Sequence, residues 1–315
     1  MNRGIIGNAA IICSLVMFIA YGGHASGQEK VAFSSLTGIS SESDSDNFHT
    51  FRIRAGALYP YSNPWNFAGF AVQATSYIQN DYHRNSSSLF GIYRNQQRDT
   101  LAGVDVEAGV AEVAGHHRPV GQASWRLMPA PDTAVDLSLS ADLIETPTAL
   151  ERGLGYTFAS GGIEQKLGER TTATGFAGWQ AFSDGNARAH LRGRLIWLAV
   201  PDDGITLQLR YRQYLSKNTN VEKTYFNPST YQQWLGVAAI RKRYAGWVFN
   251  GAVGAGRERS GEDNSHPSYL LEANAEKLIG AYTIIFRSGY SRSAGFINSP
   301  DYSYRFVGAT LVIPF

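Results

Sequence analysis

Apolar and polar residues alternate along many stretches of this chain, and a period of two residues is typical of β-strands. The stretch ITLQLRYRQYL places Ile205, Leu207 and Leu209 on one face and mostly polar or basic side chains on the other. The stretches AVDLSLSADL and LAGVDVEAGV repeat this arrangement earlier in the chain. The pattern predicts an all-β chain in which each strand has an apolar face and a polar face.

The connections between these stretches indicate how the strands are arranged. Counted back from Phe315, long connections such as SRSAGFINSPD, SKNTNVEKTYFNPS and ETPTALERG alternate with short ones such as RKRYAG, VPDDG and SNPWN. Short periplasmic turns that alternate with longer external loops are typical of transmembrane antiparallel β-barrels of bacterial outer membranes, whose termini both lie in the periplasm. We therefore predict this fold.

The number of strands follows from the same pattern. About fifteen strands can be traced from FRIRAGALY to the C-terminus. A chain that starts in the periplasm needs one more ascending strand, and KVAFSSLTGIS (30–40) supplies it, with SESDSDN as its external loop. The total of about sixteen is even, as bacterial single-chain barrels require. A barrel of this size encloses an aqueous channel.

The N-terminal residues have the composition of an export signal. Arg3 precedes an apolar stretch that is short for a membrane anchor, and the sequence GHA offers small residues for cleavage after Ala25. Cys13 is the only cysteine and lies in this segment, so we expect a mature chain without disulfides or cysteine metal ligands. We predict a cleaved signal peptide over 1–25, a segment with the first strand and its loop over 26–48, and the barrel over 49–315. The predicted location is the outer membrane of a Gram-negative bacterium.

Composition and motifs narrow the functional classes. The formal net charge is +2 and charged residues make up 17% of the chain, so nothing in the charge balance indicates a nucleic-acid partner. The sequence has no Cys/His metal spacing, phosphate loop or dinucleotide fingerprint. No Ser-His-Asp or paired-carboxylate arrangement stands out. We expect no cofactor, no bound metal and no enzymatic activity.

Three segments resemble a known family. GWQAFSDGNARAHLRGRLIW joins two strands through a tight turn, KTYFNPSTYQQWLGVAAIRKRYAGW follows, and NSPDYSYRFVGATLVIPF ends the chain. Together they resemble the C-terminal outer-membrane β-barrel domain of bacterial exopolysaccharide exporters. This group includes the poly-N-acetylglucosamine and cellulose export porins and the related phage adsorption proteins. The resemblance covers residues 150–315 well and 45–150 loosely.

The resemblance implies partners for this chain. A polysaccharide would occupy the lumen, and the outer wall would contact outer-membrane lipid and lipopolysaccharide. Phe315 resembles the C-terminal aromatic signature that the barrel-assembly machinery reads. The exporters carry periplasmic helical repeats before the barrel, whereas no helical repeat precedes residue 45 here. A separate periplasmic helical-repeat protein would then provide the scaffold.

Arginines occupy the inward face of several predicted strands. A register counted from the PDDG turn, with Ala199 opposite Ile205, sets Arg194 opposite Arg210 and Arg192 opposite Arg212. Like charges across a ladder are destabilising. Inward acids could brace the wall as ion pairs, or the wall could attract anionic groups as basic rings do in anion pores, and the sequence leaves both open. The candidate lumen or substrate-path residues are Arg192, Arg194, Arg210, Arg212, Arg52, Arg54, Arg126, Arg287, Asp105, Glu107, Asp136, Asp142, Glu272 and Tyr214.

Two further motifs are candidates. The SDGN turn is first of all a hairpin turn, because glycine accepts a positive φ, and ligand contact is the alternative. The aromatic residues of the YFNP loop could pack at the rim or meet sugar rings. The candidates are Ser183, Asp184, Gly185, Asn186 and Arg188 in the turn motif, Tyr225, Phe226, Asn227, Pro228 and Tyr231 in the rim loop, and Phe315 on the closing strand.

The functional hypothesis is a porin-like outer-membrane conduit for export of an exopolysaccharide. Two alternatives stay open. The first is a structural or adsorption barrel at the cell surface that is blocked inside and transports nothing. The second is an outer-membrane enzyme that modifies lipid.

Overall fold

The structure, a computed structural model, is a closed antiparallel barrel of sixteen strands. It describes residues 32–61, 63–218, 221, 224–279, 282–293 and 302–314. The predicted signal peptide, with Cys13, and the terminal Phe315 lie outside the described residues. The elements are β1 (Ala32–Asp44), β2 (His49–Tyr61), β3 (Asn66–Gln79), β4 (Tyr82–Gln96), β5 (Gly103–Val113), β6 (His116–Ala130), β7 (Thr133–Leu143), α1 (Pro147–Glu151), β8 (Gly155–Lys166), β9 (Thr171–Phe182), β10 (Ala187–Val200), β11 (Ile205–Ser216), β12 (Thr230–Tyr244), β13 (Trp247–Ser260), β14 (His266–Ile279), β15 (Tyr282–Ser293) and β16 (Tyr302–Pro314).

The barrel closes between its first and last strands. β1 pairs with β16 from Ser34 opposite Pro314 to Asp44 opposite Tyr304, and every other pairing joins strands that are neighbours in sequence. Each strand therefore has two partners, and no edge is left for pairing with another chain. The predicted all-β barrel of about sixteen strands is confirmed.

The outer surface of the barrel is apolar. On β10 and β11, Leu195, Trp197, Leu207 and Leu209 point outward and are 46–50% exposed. The alternation continues around the barrel, where Ile53, Val72, Leu89, Leu137, Val253 and Val307 are exposed as well. Soluble proteins seldom expose contiguous apolar surface on this scale, whereas a barrel that faces lipid has an apolar outer band and a polar interior.

The two ends of the barrel carry different connections. We call the loop end the one with 45–48, 80–81, 114–115, 144–154, 183–186, 217–229 and 261–265. The turn end carries 62–65, 97–102, 131–132, 167–170, 201–204, 245–246 and 280–281, together with the start of β1 and the end of β16.

The predicted alternation in connection length holds only in part, since the loop-end connection 183–186 is no longer than the turn-end connections 167–170 and 201–204. At the loop end, 144–154 and 217–229 are long, but 80–81 and 114–115 are two-residue turns. The two residues of the second turn have φ angles of 50° and 78°, which is the type I′ geometry that matches strand twist. Because such a turn closes a hairpin at either end of a barrel, connection length does not by itself identify the end.

Two local predictions are wrong. β1 runs on to Asp44, so most of the predicted SESDSDN loop is strand and the connection shrinks to 45–48. β10 shifts register between Leu198 and Val200, so that Val200 rather than Ala199 lies opposite Ile205. The shift is confined to the turn end, and the opposed arginine pairs beyond it keep the predicted register.

The buried apolar contacts lie inside the barrel, close to its two ends. At the turn end, Leu58, Tyr61 and Val312 form a cluster against Leu36, Phe67 and Ile92. At the loop end a larger cluster forms around Leu150 of α1. The lumen is therefore narrowed by side chains and by inward-folded chain, rather than being the uniformly aqueous channel that strand number alone predicts.

Candidate functional site

The candidate site is the inner surface of the barrel, and one side of it is braced by ion pairs. The Arg54 guanidinium donates two parallel hydrogen bonds to the Glu107 carboxylate, both at 2.7 Å. Arg126 donates to both oxygens of Asp136, at 3.1 and 2.8 Å, and to Glu164 at 3.1 Å. Charge-assisted bonds of this forked kind are among the strongest in proteins. They link β2 to β5 and β6 to β7 and β8.

A second paired group lies near the loop end. Arg52 of β2 donates to Glu42 of β1 and to Glu145, which belongs to the connection 144–154. The Tyr77 hydroxyl donates to Glu145 at 3.3 Å and the Tyr304 hydroxyl donates to Glu42 at 2.6 Å. Glu145 is therefore held against the inner wall by side chains of two strands. Its backbone must follow, so the connection enters the barrel.

The connection 144–154 forms the short helix α1 inside the barrel mouth. Thr146 caps the helix by accepting from the Ala149 amide at 3.1 Å, and Pro147 occupies the first turn. This is the favoured chemistry for starting a helix. Leu150 is fully buried in one cluster with side chains of β3 to β7, which are Tyr77, Phe90, Ala111, Val113, Val120 and Leu143.

The described part of the connection between β11 and β12 also folds inward, at residues 224–227. Tyr225 is 2% exposed and stacks on Phe182 with ring centroids 4.8 Å apart. Its hydroxyl donates to Asp184 at 2.9 Å and accepts from the Asn186 amide at 3.0 Å. Burial raises the pKa of the Tyr225 phenol above its ordinary value, so the hydroxyl stays protonated and available to donate. The SDGN turn thus anchors the neighbouring connection.

Arg188 of β10 also holds the connection between β11 and β12 in place. Its guanidinium donates to the Phe226 carbonyl at 2.8 Å and to Asn227 Oδ1 at 3.1 Å, and it lies 4.4 Å from the centre of the Tyr214 ring. Arg188 is 4% exposed. A buried cation with neutral oxygen acceptors and an aromatic face holds loop backbone in place, so Arg188 has a structural role.

The two inward connections touch each other. The Thr146 hydroxyl donates to the Thr224 carbonyl at 2.8 Å, and Ile144, Ala149 and Leu154 share one buried cluster with Tyr225. Together the described residues of the two connections form what we call the loop plug, residues 144–154, 217–218, 221 and 224–229. It covers part of the barrel mouth at the loop end.

The wall formed by β10 and β11 has a different character. Arg192 lies opposite Arg212, and Arg194 lies opposite Arg210. We call these four residues the basic strip. Arg194 is exposed to the lumen and the other three are half-buried. Arg210 lies 3.9 Å from Glu272, a longer ion pair than those of the braced side.

Aromatic rings support the basic strip. The Arg192 guanidinium lies 5.1 Å from the centre of the Phe176 ring, and the Arg212 guanidinium lies 5.5 Å from that of Tyr231. These distances are within the range of cation–π contacts. Tyr214 and Tyr231 stack on each other at 4.8 Å and are 2% and 6% exposed. They support arginines and do not present open faces to a ligand.

The structure divides the sequence candidates into groups. The paired side contains Arg52, Arg54, Arg126, Asp105, Glu107 and Asp136, with Asp105 accepting from Arg94 at 2.7 Å. Asp142 lies on β7 next to the loop plug, and Arg287 of β15 lies opposite Asn274. Of the two interpretations of the YFNP loop, the contacts correspond to packing, since Tyr225 stacks on Phe182 and Arg188 holds Phe226 and Asn227; Tyr231 belongs to β12.

Sequence reasoning missed several residues of this site. Glu42, Glu145 and Leu150 were not among the candidates, yet they attach the loop plug to the wall. The Thr146-Pro147 pair was a usable signal, since a capping residue followed by proline marks a helix start. Nothing in the sequence marked the partner of Glu145, which lies far away along the chain.

Among the described residues, no group of three or more His, Cys, Asp or Glu side chains is arranged to hold a metal ion. No helix in the described ranges has the length and apolar character needed to cross a membrane.

Comparison with solved structures supports the architecture. A structure described as a bacterial polysaccharide outer membrane secretin aligns over 92% of this chain and 100% of its own, with 12% identity and a TM-score of 0.67. Pseudomonas aeruginosa OccK11 (OpdR) aligns over 90% of this chain and 96% of its own, with 10% identity and a TM-score of 0.45. At these identities the likeness to the secretin shows a shared fold. No protein-family model and no curated protein matches the chain.

Proposed function

We propose that this protein is an outer-membrane conduit through which a polysaccharide leaves the cell. The observation that carries the proposal is a closed sixteen-stranded barrel with an apolar outer band and a lumen lined by charged side chains. An outward apolar band suits lipid and an inward charged wall suits water and polar cargo. The secretin with the same barrel architecture supports polysaccharide as the cargo.

In this proposal the loop end faces the exterior and the turn end faces the periplasm. Synthesis at the inner membrane drives the polymer, and the barrel supplies a path without covalent chemistry. A separate periplasmic helical-repeat protein would deliver the chain to the turn end.

The loop plug is also consistent with a competing function. In that alternative the lumen is permanently blocked, and the barrel serves adsorption or a structural purpose at the cell surface. Two connections inside the mouth, joined through Thr146 and Thr224, are what a permanently closed barrel would also have. Their attachment is made of hydrogen bonds, one buried ion-pair group and small apolar clusters. Such segments open at lower free energy than a barrel wall, in which every strand is paired on both sides.

Single-channel recording separates the two functions. The purified protein in a planar bilayer is expected to conduct ions in discrete steps, with closures that reflect movement of the loop plug. Detergent buffer without protein is the control for leakage. A correctly folded barrel that inserts and never conducts would favour the blocked barrel and overturn the conduit.

A further inference from the structure

The outer wall of the barrel carries a group of arginines near the loop end. They lie on the outward face of their strands, as Val253 of β13 and Val307 of β16 do, and each lies within three residues of the loop-end terminus of its strand. All four side chains are exposed. We call them the outer basic patch, whose members are Arg257 and Arg259 of β13, Arg292 of β15 and Arg305 of β16.

The patch is confined to one side of the barrel. On β1 to β12, all of which the structure describes at this end, the outward positions within three residues of the loop-end terminus contain no arginine or lysine. Residues at these positions include Ser43, His83, Asn85, Ala189 and Gln213. A general affinity for headgroups would distribute cations around the wall, so their concentration on β13 to β16 indicates a local site.

The neighbouring aromatic rings place the patch at the membrane interface. Trp234 lies opposite Arg257 and is 52% exposed, and Tyr290 lies opposite Arg305 and is 39% exposed. Trp and Tyr are enriched at the level of the lipid headgroups. An arginine on the lipid-facing side of a barrel is destabilising at the bilayer midplane and costs little near the interface. The guanidiniums therefore face headgroups rather than acyl chains.

The hydrogen bonds within the patch go to neutral groups. Arg257 donates to the hydroxyl and to the carbonyl of Ser265, both at 3.1 Å, and Arg305 donates to the Ser43 hydroxyl at 2.6 Å. These contacts orient the two guanidiniums on the outer wall and leave their charge without a carboxylate. An anion outside the protein can engage them.

The acidic residues nearest to Arg257 and Arg259 in sequence do not pair with them. Glu258 faces the lumen, is 3% exposed and accepts from the Tyr231 hydroxyl at 2.8 Å. Glu262 and Asp263 belong to the connection 261–265, and the ion pairs among the described residues include neither of them. The same ion pairs include none from Arg257, Arg259 or Arg305.

The surroundings of the patch match a phosphorylated glycolipid. A guanidinium offers a planar fork of N–H donors that binds phosphate with two parallel bonds. Tyr269 and Tyr290 lie between β13 and β16 on the same outward face, and their rings and hydroxyls suit a sugar. Closer to the turn end, Val253, Leu271 and Val307 are 51–58% exposed and suit acyl chains. Lipid A, the anchor of lipopolysaccharide in the outer leaflet, combines phosphates, a disaccharide and acyl chains in this order.

We propose that the outer basic patch binds the phosphate groups of one lipid A molecule in the outer leaflet. The disaccharide lies over the tyrosines of β14 and β15, and the acyl chains follow the apolar wall below. The proposal rests on the orientation in the proposed function, in which the loop end faces the exterior. It is independent of what passes through the lumen, because the patch lies on the outer wall.

Native mass spectrometry of the purified barrel in detergent, titrated with bisphosphorylated lipid A, tests the site. The wild type is expected to retain one lipid A molecule. Arg257→Gln/Arg259→Gln/Arg305→Gln is expected to bind it about a hundredfold more weakly, since charge-assisted bonds are lost. The three corresponding lysine substitutions retain the charge without the fork and should be intermediate. The matched control, Lys166→Gln/Arg170→Gln/Lys242→Gln, removes three exposed cations at the turn end and should bind as the wild type does.

The outcomes distinguish this site from the conduit. Equal affinity of the wild type and the patch variant for lipid A would overturn the site. Equal binding of dephosphorylated lipid A would overturn phosphate as the recognised group, and equally tight binding of phosphatidylglycerol would overturn lipid A as the occupant. A barrel that binds lipid A at the patch and never conducts in planar bilayers would overturn the conduit and leave the site standing. Retained gel mobility of the folded barrel shows that each variant is assembled.

Discussion

Leu150→Asp is expected to raise the single-channel conductance of the barrel severalfold while the barrel stays folded. Leu150 is fully buried in the apolar cluster that attaches α1 to the inner wall. A buried, unpaired carboxylate costs several kcal/mol. The sixteen paired strands do not depend on α1, so the less costly response is release of 144–154 into solvent. The mouth would then widen.

Two matched variants make this result interpretable. Leu150→Met conserves volume, is expected to cost less than about 1.5 kcal/mol, and should leave the conductance as in wild type. Glu151→Gln, on the next residue, removes an exposed ion pair with Arg84 of β4; exposed pairs contribute little, so the conductance should stay close to that of wild type. Unchanged conductance in a folded Leu150→Asp protein would mean that the connection does not limit the pore.

Arg188→Ala is expected to release the second connection of the loop plug. The substitution removes charge-assisted bonds to the Phe226 carbonyl and to Asn227, together with the contact to Tyr214. Loss of such bonds, with their acceptors left buried, costs about 3 kcal/mol. The connection should therefore open about a hundredfold more often.

Limited trypsin digestion of the folded barrel measures this opening. Cleavage after Lys217, at the start of the connection, should accelerate about a hundredfold in Arg188→Ala when opening limits the reaction. Arg188→Lys retains the charge without the planar fork and should be intermediate. Lys242→Ala removes an exposed pair with Asp203 at the turn end and should cleave as wild type does. Equal rates in all four proteins would contradict the anchoring role of Arg188.

The sequence was sufficient to predict the wall of the barrel and the direction of its side chains. Alternation in ITLQLRYRQYL separated Leu207 and Leu209 from Arg210 and Arg212, because a strand has only two faces and the membrane fixes which one is apolar. The opposed arginine pairs followed from counting back from a short turn. These predictions rest on local geometry, which short stretches of sequence determine.

The contents of the lumen were beyond such reasoning. Arg54 meets Glu107 from a strand three places away around the barrel, and Glu145 meets Arg52 across a gap of 93 residues in sequence. Asn186 was predicted as part of a turn, and only the folded structure shows its amide bonded to Tyr225 and Asn227. Side-chain partners inside a barrel depend on the curvature of the wall and on the path of inward-folded connections. Neither feature produces a periodic pattern in the amino-acid sequence.

The central claim of this account is that each strand has one face in lipid and the other in a water-filled lumen. Single cysteines at Thr206, Leu207, Gln208 and Leu209 of β11, introduced into a Cys13→Ser background, test it directly in reconstituted vesicles. A charged, membrane-impermeant thiol reagent is expected to label positions 206 and 208 rapidly and to leave 207 and 209 unreacted. Equal labelling of all four positions, or labelling of 207 and 209 alone, would contradict the account.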